Sequence, residues 1–503
     1  MVDILLCSVP LMDIEMPAPA PFHLKGQLSN SGVVAEAVDT NIIFFNRVSE
    51  EWDDVIAALL SKSENNSLEE EEHIFVLIKK ELEKVFDEQI ELHQPTWIGL
   101  SCFTKVSRWC TQMLCHYIKK NYPDIKIILG GAGLGLTLGD YKDPFASDLK
   151  QQGLCDEYIM GEGEISLRKF FEKTKYPGIG SQPVQIMDLN DVKWSDYSSV
   201  DWNYYPLKSN TGRGSTLGSI ENKHYVLTGS RGCVRKCDFC DVYKMWPKYR
   251  SRRGEDIAEE MTHHYSQSGV RHFYFSDSLI NGSMRDFRSL SKTLLNSKEQ
   301  GTLAEDIYWG GQFIARTSEQ MSLEDLQQAK LSGFVHCSIG LEHASERIRD
   351  FMNKKTPDKA VWDTVDNLAN ANIVTAYNFI IGHPRETEED LQRIVQWLHD
   401  FKWASDAGHI EKINLQTGIY FLEGTDFFEK KDDLVDFQFG SEEFWVSKHV
   451  PNLDFNEIYR RRMYISEVAE GLGYRLHDEA SLKNFMNRKL NRYKEYANTN
   501  HNQ

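Results

Sequence analysis

From residue 224 onward, a short apolar run followed by an amphipathic stretch recurs six times, and this repetition constrains the fold more than any other feature of the chain. The runs are His224 to Gly229, His272 to Ser276, Tyr308 to Ala315, His336 to Leu341, Tyr377 to Ile381 and Ile413 to Phe421. Asp256 to Gln267 and Leu323 to Leu331 carry the 3.6-residue period of helices between them. Strands separated by helices must run parallel, so six such units predict an incomplete (β/α)6 barrel of the TIM type with its chemistry on the loops after the strands.

A different α/β series precedes it. Ile4-Leu5-Leu6-Cys7 reads as a strand buried on both faces, Val33 to Asn41 and Ile42 to Phe45 as further strand, and His73 to about Leu92 as helix. Trp97 to Phe103, Ile125 to Leu129 and Cys155 to Met160 are strand-like, and the last two run into Gly130-Gly131 and Gly161-Glu162-Gly163. Repeated strand, turn and helix predict a doubly wound, Rossmann-like sheet that binds ligands beyond the carboxyl ends of its strands. The acidic run Glu64 to Glu72 reads as a solvated insertion. The expected boundaries are 1–180 for this domain, 181–222 for a Gly, Ser, Pro and Asn-rich linker, 223–426 for the barrel and 427–503 for a mostly helical extension.

Charge and cysteine usage narrow the function. With 57 Lys and Arg against 75 Asp and Glu, the net charge of −18 disfavours a nucleic-acid partner. No stretch approaches the roughly 20 apolar residues of a membrane span, and the acidic start Met1-Val2-Asp3 is unlike a secretion signal, so a cytoplasmic location is expected. Nine cysteines in 503 residues are too sparse for a disulfide framework and fit thiols kept for metal.

Three of these thiols stand in one loop directly after the first barrel run, in Gly232-Cys233-Val234-Arg235-Lys236-Cys237-Asp238-Phe239-Cys240. Spacings of four and three let them wrap one soft metal centre, and zinc and iron-sulfur sites both use such pairs. Structural zinc takes four closed ligands, and the fourth is missing locally. That favours an iron-sulfur cluster with one open iron over a zinc-stabilised, non-catalytic module. Cys7, Cys102, Cys110, Cys115, Cys155 and Cys337 read as buried core residues. The basic residues from Arg231 to Arg253 bracket the loop and read mainly as balance for an anionic centre.

With Phe239 just before its last cysteine, the loop resembles the signature of the radical S-adenosylmethionine (SAM) superfamily, in the branch carrying an N-terminal cobalamin-type domain. The resemblance implies that Cys233, Cys237 and Cys240 bind three irons of a [4Fe-4S] cluster and that SAM chelates the fourth. It implies reductive cleavage of SAM to a 5′-deoxyadenosyl radical. Phe239 would pack beside SAM, and Asp277, Arg316 and Glu342, each after a barrel strand, would lie around it. Ser338-Ile339-Gly340-Leu341-Glu342 is similar to the family's Gly-hydrophobic-Glu motif, and Gly382-His383-Pro384-Arg385-Glu386-Thr387 to its Gly-x-Pro-x-Glu-Thr pattern. Glu386 reads equally well as a carboxylate favouring the start of a helix.

The N-terminal segment Pro19 to Gly26, with Gly32, Val38-Asp39 and Asn41, resembles the opening of the branch's cobalamin-binding domain. On that resemblance Pro10, Ser101, Gly130, Gly131, Gly161 and Gly163 would approach the cofactor. None of the 16 histidines has Asp two residues before it, so the likeness is to members that bind cobalamin without a histidine ligand, or that kept only the fold. The implied reaction is methylation of an unactivated carbon, with cyclisation, rearrangement or oxidation as the alternative. The implied partners are a small-molecule, lipid or peptide substrate and an electron donor such as flavodoxin or ferredoxin.

Overall fold

The computed structural model describes residues 1–64, 73–135, 143–174, 176, 178–179, 184–205, 223–476 and 479–500. Most of the acidic run Glu64 to Glu72 lies outside the described residues. The chain forms two compact units, passing from the first to the second between Leu227 and Thr228.

The first unit is built on a five-stranded parallel sheet of β1 (Val2–Ser8), β2 (Ala35–Val38), β3 (Pro95–Ser101), β4 (Lys126–Gly130) and β5 (Glu157–Tyr158), in the order β2-β1-β3-β4-β5. Ile4, Leu5, Leu6 and Cys7 are all buried, as a strand covered by helices on both faces requires. The strand order reverses between β1 and β3, the switch point where doubly wound sheets open a crevice at their carboxyl ends. Ser8, Ser101 and Gly130 are register partners across that edge.

One expectation is corrected. Ile42 to Phe45 is not strand but part of the helix Thr40–Arg47. Asp39 caps this helix by accepting the Ile42 N–H, and Ile42, Ile43 and Phe44 face the core. Four adjacent apolar residues have no period of their own, so the cap decided the outcome.

The second sheet is six-stranded, with β6 (His224–Leu227), β7 (His272–Phe275), β8 (Tyr308–Phe313), β9 (Phe334–Glu342), β10 (Val374–Ile381) and β11 (Ile410–Thr417) in sequential order. The pairings from β7 to β11 are all parallel. Helices Gly254–Ser268, Met284–Glu299, Leu323–Ser332, Asp358–Asn370 and Glu388–Asp400 fill the connections. On β10, Tyr377 and Phe379 pack edge-on against Trp397 of the last of these helices, so Asn378 faces the opposite, inner side. Asn378 is in register with Asn414, and Gln312 with Ser338. Gln312, Ser338, Asn378 and Asn414 therefore place uncharged polar side chains on the inner face, and Lys412 lies on the same side of β11 as Asn414.

Beyond β11 the chain is mostly helical, with Phe455–Gly471 and Glu479–Asn500, but it includes an antiparallel ribbon of Val435–Gln438 and Ser441–Ser447 absent from the sequence reading. Trp445, Phe421, Phe427 and Ile458 close a core with Ile348, Met352 and Ile380 of the barrel segment. The extension is thus part of the second unit's packing.

Candidate functional site

The cysteine loop leaves the barrel through a turn that only glycine can make. Gly232 has φ +85°, and a Cβ there would lie 2.9 Å from the Lys248 carbonyl oxygen. Upstream, Asp277 at the end of β7 is buried, and its carboxylate accepts the Gly229 N–H at 2.8 Å and bonds Ser230. Burial pushes its pKa up to about 7 against these hydrogen bonds and nearby Arg252. Asp277 therefore anchors the approach to the loop.

The loop is then clamped from two sides. The Asp238 N–H donates to Met352 O (2.9 Å), Asn353 Nδ2 to Lys236 O (2.8 Å) and Arg235 Nη1 to Lys355 O (2.8 Å). On the other side the Phe427 N–H donates to Asp238 O (2.8 Å), and Lys430 pairs with the Asp238 carboxylate at 2.7 Å. Phe239 is half-buried against the core that contains Met352 and Phe427. Its visible role is to seat the loop. The 425–430 segment, which carried no sequence motif, is thus part of the loop's support.

Cys237 is buried, while Cys233 and Cys240 are partly exposed, and all three are free thiols. The Arg235 N–H points at Cys233 Sγ (3.4 Å) and the Val242 N–H at Cys240 Sγ. Amide donors aimed at sulfur suit anionic, metal-bound thiolate. Burial pushes the Cys237 thiol up to about 11 and the Cys240 thiol up to about 12, with Lys354 opposing the shift at Cys237. Bare, they would be protonated, and only a metal centre's charge would turn them into ligands at neutral pH.

Among the described residues, no three His, Cys, Asp or Glu side chains are placed to hold a single metal ion. A zinc knuckle needs its donors to converge on one point. In a cluster each thiolate takes its own iron, so the donor set and the sulfur-directed amides fit that group better.

Two further expected residues sit by this loop. Glu342 ends β9 in the left-handed region (φ +67°) and pairs with Lys354 at 2.9 Å. Gly340 makes room for this pair, because a Cβ there would lie 2.4 Å from Glu342 Oε1. Lys354 was not singled out in the sequence; its signal would have been a lysine in the connection that follows the Gly-hydrophobic-Glu motif. Arg316, after β8, is held by the carbonyls of Asn281 (3.0 and 2.7 Å) and Gly282 (3.0 Å). Burial and the Arg235 cation lower its pKa, so an anionic group would be welcome beside it.

Glu386 is corrected in its local role. Thr387, not Glu386, caps the helix Glu388–Asp400, through a capping box with Asp390. Glu386 is instead fully buried, accepting the Gly382 N–H (2.8 Å) and meeting Arg461 (3.1 Å) and His343 (3.3 Å). Much of the basic run is consumed internally, with Arg252 on Glu260, Arg253 on Asp256 and Lys244 on Asp426.

In the first unit, Ser101 and Gly130 meet in register at the sheet's carboxyl edge, and Pro10 lies two residues beyond β1. Gly131 (φ +102°) lets the turn approach the Cys102 carbonyl, where a Cβ would lie 2.3 Å away. Gly161 (φ +79°) precedes Gly163, the first residue of the helix Gly163–Phe171. Among the described residues, a Cβ on Gly130 would meet nothing within 4 Å. His23 beside Glu164 has both ring nitrogens engaged, by Ser195 and Glu164 at 3.1 Å each. These turns fit a cofactor approached by backbone, without a ligand from His23.

Residues 227–398 match the radical SAM superfamily model, and the chain thus carries a radical SAM domain. The cofactors of that family are a [4Fe-4S] cluster and SAM. Among curated relatives, the anaerobic magnesium-protoporphyrin IX monomethyl ester cyclase of Cereibacter sphaeroides is 27% identical over 287 residues, covering 53% of this chain and 44% of that protein. The ribosomal protein uS12 methylthiotransferase RimO of Clostridium botulinum is 27% identical over 199 residues, covering 38% and 44%. The chain spans about half the length of the curated relatives it matches.

Two solved structures share the fold. The cobalamin-dependent SAM radical enzyme OxsB, with aqua-cobalamin and SAM bound, aligns with a TM-score of 0.61 at 14% identity, over 93% of this chain and 67% of that one. The radical SAM methyltransferase TsrM of Kitasatospora setae, with cobalamin and [4Fe-4S] cluster bound, aligns with a TM-score of 0.54 at 13% identity, over 83% and 72%.

Proposed function

We propose that this chain is a radical SAM enzyme whose first unit binds cobalamin and whose reaction is methylation of an unactivated carbon. Cys233, Cys237 and Cys240 would hold three irons of the cluster, leaving the fourth for SAM. The observation that carries the reading is the cysteine loop itself, at a barrel strand's carboxyl end, clamped on two sides and with backbone amides aimed at two of its sulfurs. When bound, the cluster and SAM supply an adenosyl radical able to remove hydrogen from an unreactive carbon, chemistry that no side chain provides.

The chain's own residues position and shield. Arg316 presents a partly buried guanidinium suited to a carboxylate such as that of SAM. Glu342 offers a carboxylate at the end of β9 for an ammonium group. Gln312, Ser338, Asn378 and Asn414 on the inner face suit a small or peptide-like substrate that uses neutral hydrogen bonds. Cobalamin is supported by the fold shared with OxsB and TsrM and by the glycine turns at the carboxyl edge of the first sheet. An electron donor such as flavodoxin or ferredoxin and a cytoplasmic location complete the reading. Among the described residues no helix is long and apolar enough to cross a membrane.

A second reading, radical cyclisation or oxidation without methyl transfer, draws on the cyclase relative. Anaerobically reconstituted protein incubated with SAM, reductant, cobalamin and candidate substrates separates the two. Methylation yields both 5′-deoxyadenosine and S-adenosylhomocysteine, with a product heavier by one methyl group. The first nucleoside alone, with product formed, favours the second reading.

A further inference from the structure

Lys354 is one of five buried lysines among the described residues, and it sits in a connection held by many hydrogen bonds. Arg349, with no exposed surface, ties that connection together: its guanidinium donates to His343 O (2.7 Å) and Thr356 O (2.8 Å) and pairs with Asp358 (2.5 Å). The flanking residues Asn353 and Lys355 are both left-handed, at φ +55° and +53°. Non-glycine residues adopt that conformation at a cost, which the surrounding bonds must offset. Met352, Asn353 and Lys355 all bond backbone or side-chain groups of the cysteine loop. Lys354 lies in the middle of this seam.

Its ammonium meets Glu342 at 2.9 Å. A carboxylate at contact distance favours the charged ammonium, and the residues on either side of Lys354 are bonded to Arg235, Lys236 and Asp238 of the cysteine loop, so a positive charge is carried along that loop. The potential of an iron-sulfur centre depends on the net charge around it.

We propose that Lys354 is a positioning residue of the cysteine centre: it fixes Glu342 at the end of β9 and places a permanent positive charge beside Cys233 and Cys237 that favours the reduced cluster. The inference rests on the radical SAM reading. Reduction adds one electron, supplied in the test by dithionite, and makes the thiolate-ligated centre more negative. A fixed cation therefore stabilises the reduced form, and the Glu342 carboxylate partly cancels that effect. Removing either charge should move the equilibrium in opposite directions.

The test is a redox titration of the full-length reconstituted chain without SAM, following the reduced cluster by electron paramagnetic resonance. Lys354→Met should shift the reduced-to-oxidised ratio at fixed potential about tenfold toward the oxidised form, a midpoint about 59 mV more negative for one electron. Lys354→Arg should restore the wild-type midpoint, and Glu342→Gln should shift it positive. A Lys354→Met variant with full iron content and an unchanged midpoint overturns the proposal. So does a shift of the same sign in Lys354→Met and Glu342→Gln. Should Lys354→Met fail to load iron, Glu342→Gln decides alone, a positive shift supporting the proposal and any other result overturning it. Wild-type protein that takes up no iron and sulfide overturns the radical SAM reading, and the proposal with it.

Discussion

Arg461→Met should destabilise the second unit by about 3 kcal/mol, although Arg461 lies far along the chain from any cysteine ligand. Glu386 has no exposed surface, and its carboxylate is balanced by Arg461 at 3.1 Å, with His343 at 3.3 Å and the Gly382 N–H at 2.8 Å as its other partners. Removing one member of a buried ion pair costs about 3–5 kcal/mol, because the remaining charge stays desolvated. The amide donor survives the substitution, which points to the lower end. At a slope of about 3 kcal/mol/M in urea, the transition of this unit should move down by about 1 M. The double variant Arg461→Met with Glu386→Gln should recover at least about 1.5 kcal/mol, since neutral Gln still accepts the Gly382 N–H without a buried charge. Urea unfolding followed by tryptophan fluorescence reads both. A loss below about 1 kcal/mol for the single variant, or strict additivity in the double, would refute the claim that this ion pair fastens helix Phe455–Gly471 to the loop after β10.

Other expectations follow from the same geometry. Asp277 is protonated up to about pH 7 when folded and up to about 3.8 when unfolded, so its contribution to stability is full below pH 4 and is lost as pH rises through 7. That separation corresponds to about 4 kcal/mol as an upper bound, and Asp277→Asn should flatten that part of the pH–stability curve; parallel curves for the two proteins would contradict the assignment. Arg316→Met should weaken SAM binding at least about tenfold, or 1.4 kcal/mol, in equilibrium dialysis with cluster-loaded protein, and unchanged affinity would place the SAM carboxylate elsewhere.

The sequence was most informative where chemistry and fold demand the same residue. Three thiols in one loop, and Gly232 before them, are legible because few other residues could stand there. Strand β1 was legible because Ile4 to Cys7 must be apolar on both faces of a covered sheet. Ile42 to Phe45 misled because a short apolar run without period is decided by its cap, here Asp39. The partners of the loop were illegible for a different reason. Met352, Phe427 and Lys430 reach it only through tertiary packing, from 112 or more residues beyond Cys240, and no local spacing announces such contacts. Glu386 was readable as a motif member, but its buried partnership with Arg461 depends on a helix 75 residues later.

Iron and acid-labile sulfide analysis of anaerobically reconstituted wild-type protein, beside the variant carrying Cys233→Ala, Cys237→Ala and Cys240→Ala together, tests the central claim most directly. About four iron and four sulfide per chain are expected in the first, and close to none in the second. Near-stoichiometric zinc without sulfide in the wild type, or iron retained when all three thiols are gone, would contradict it.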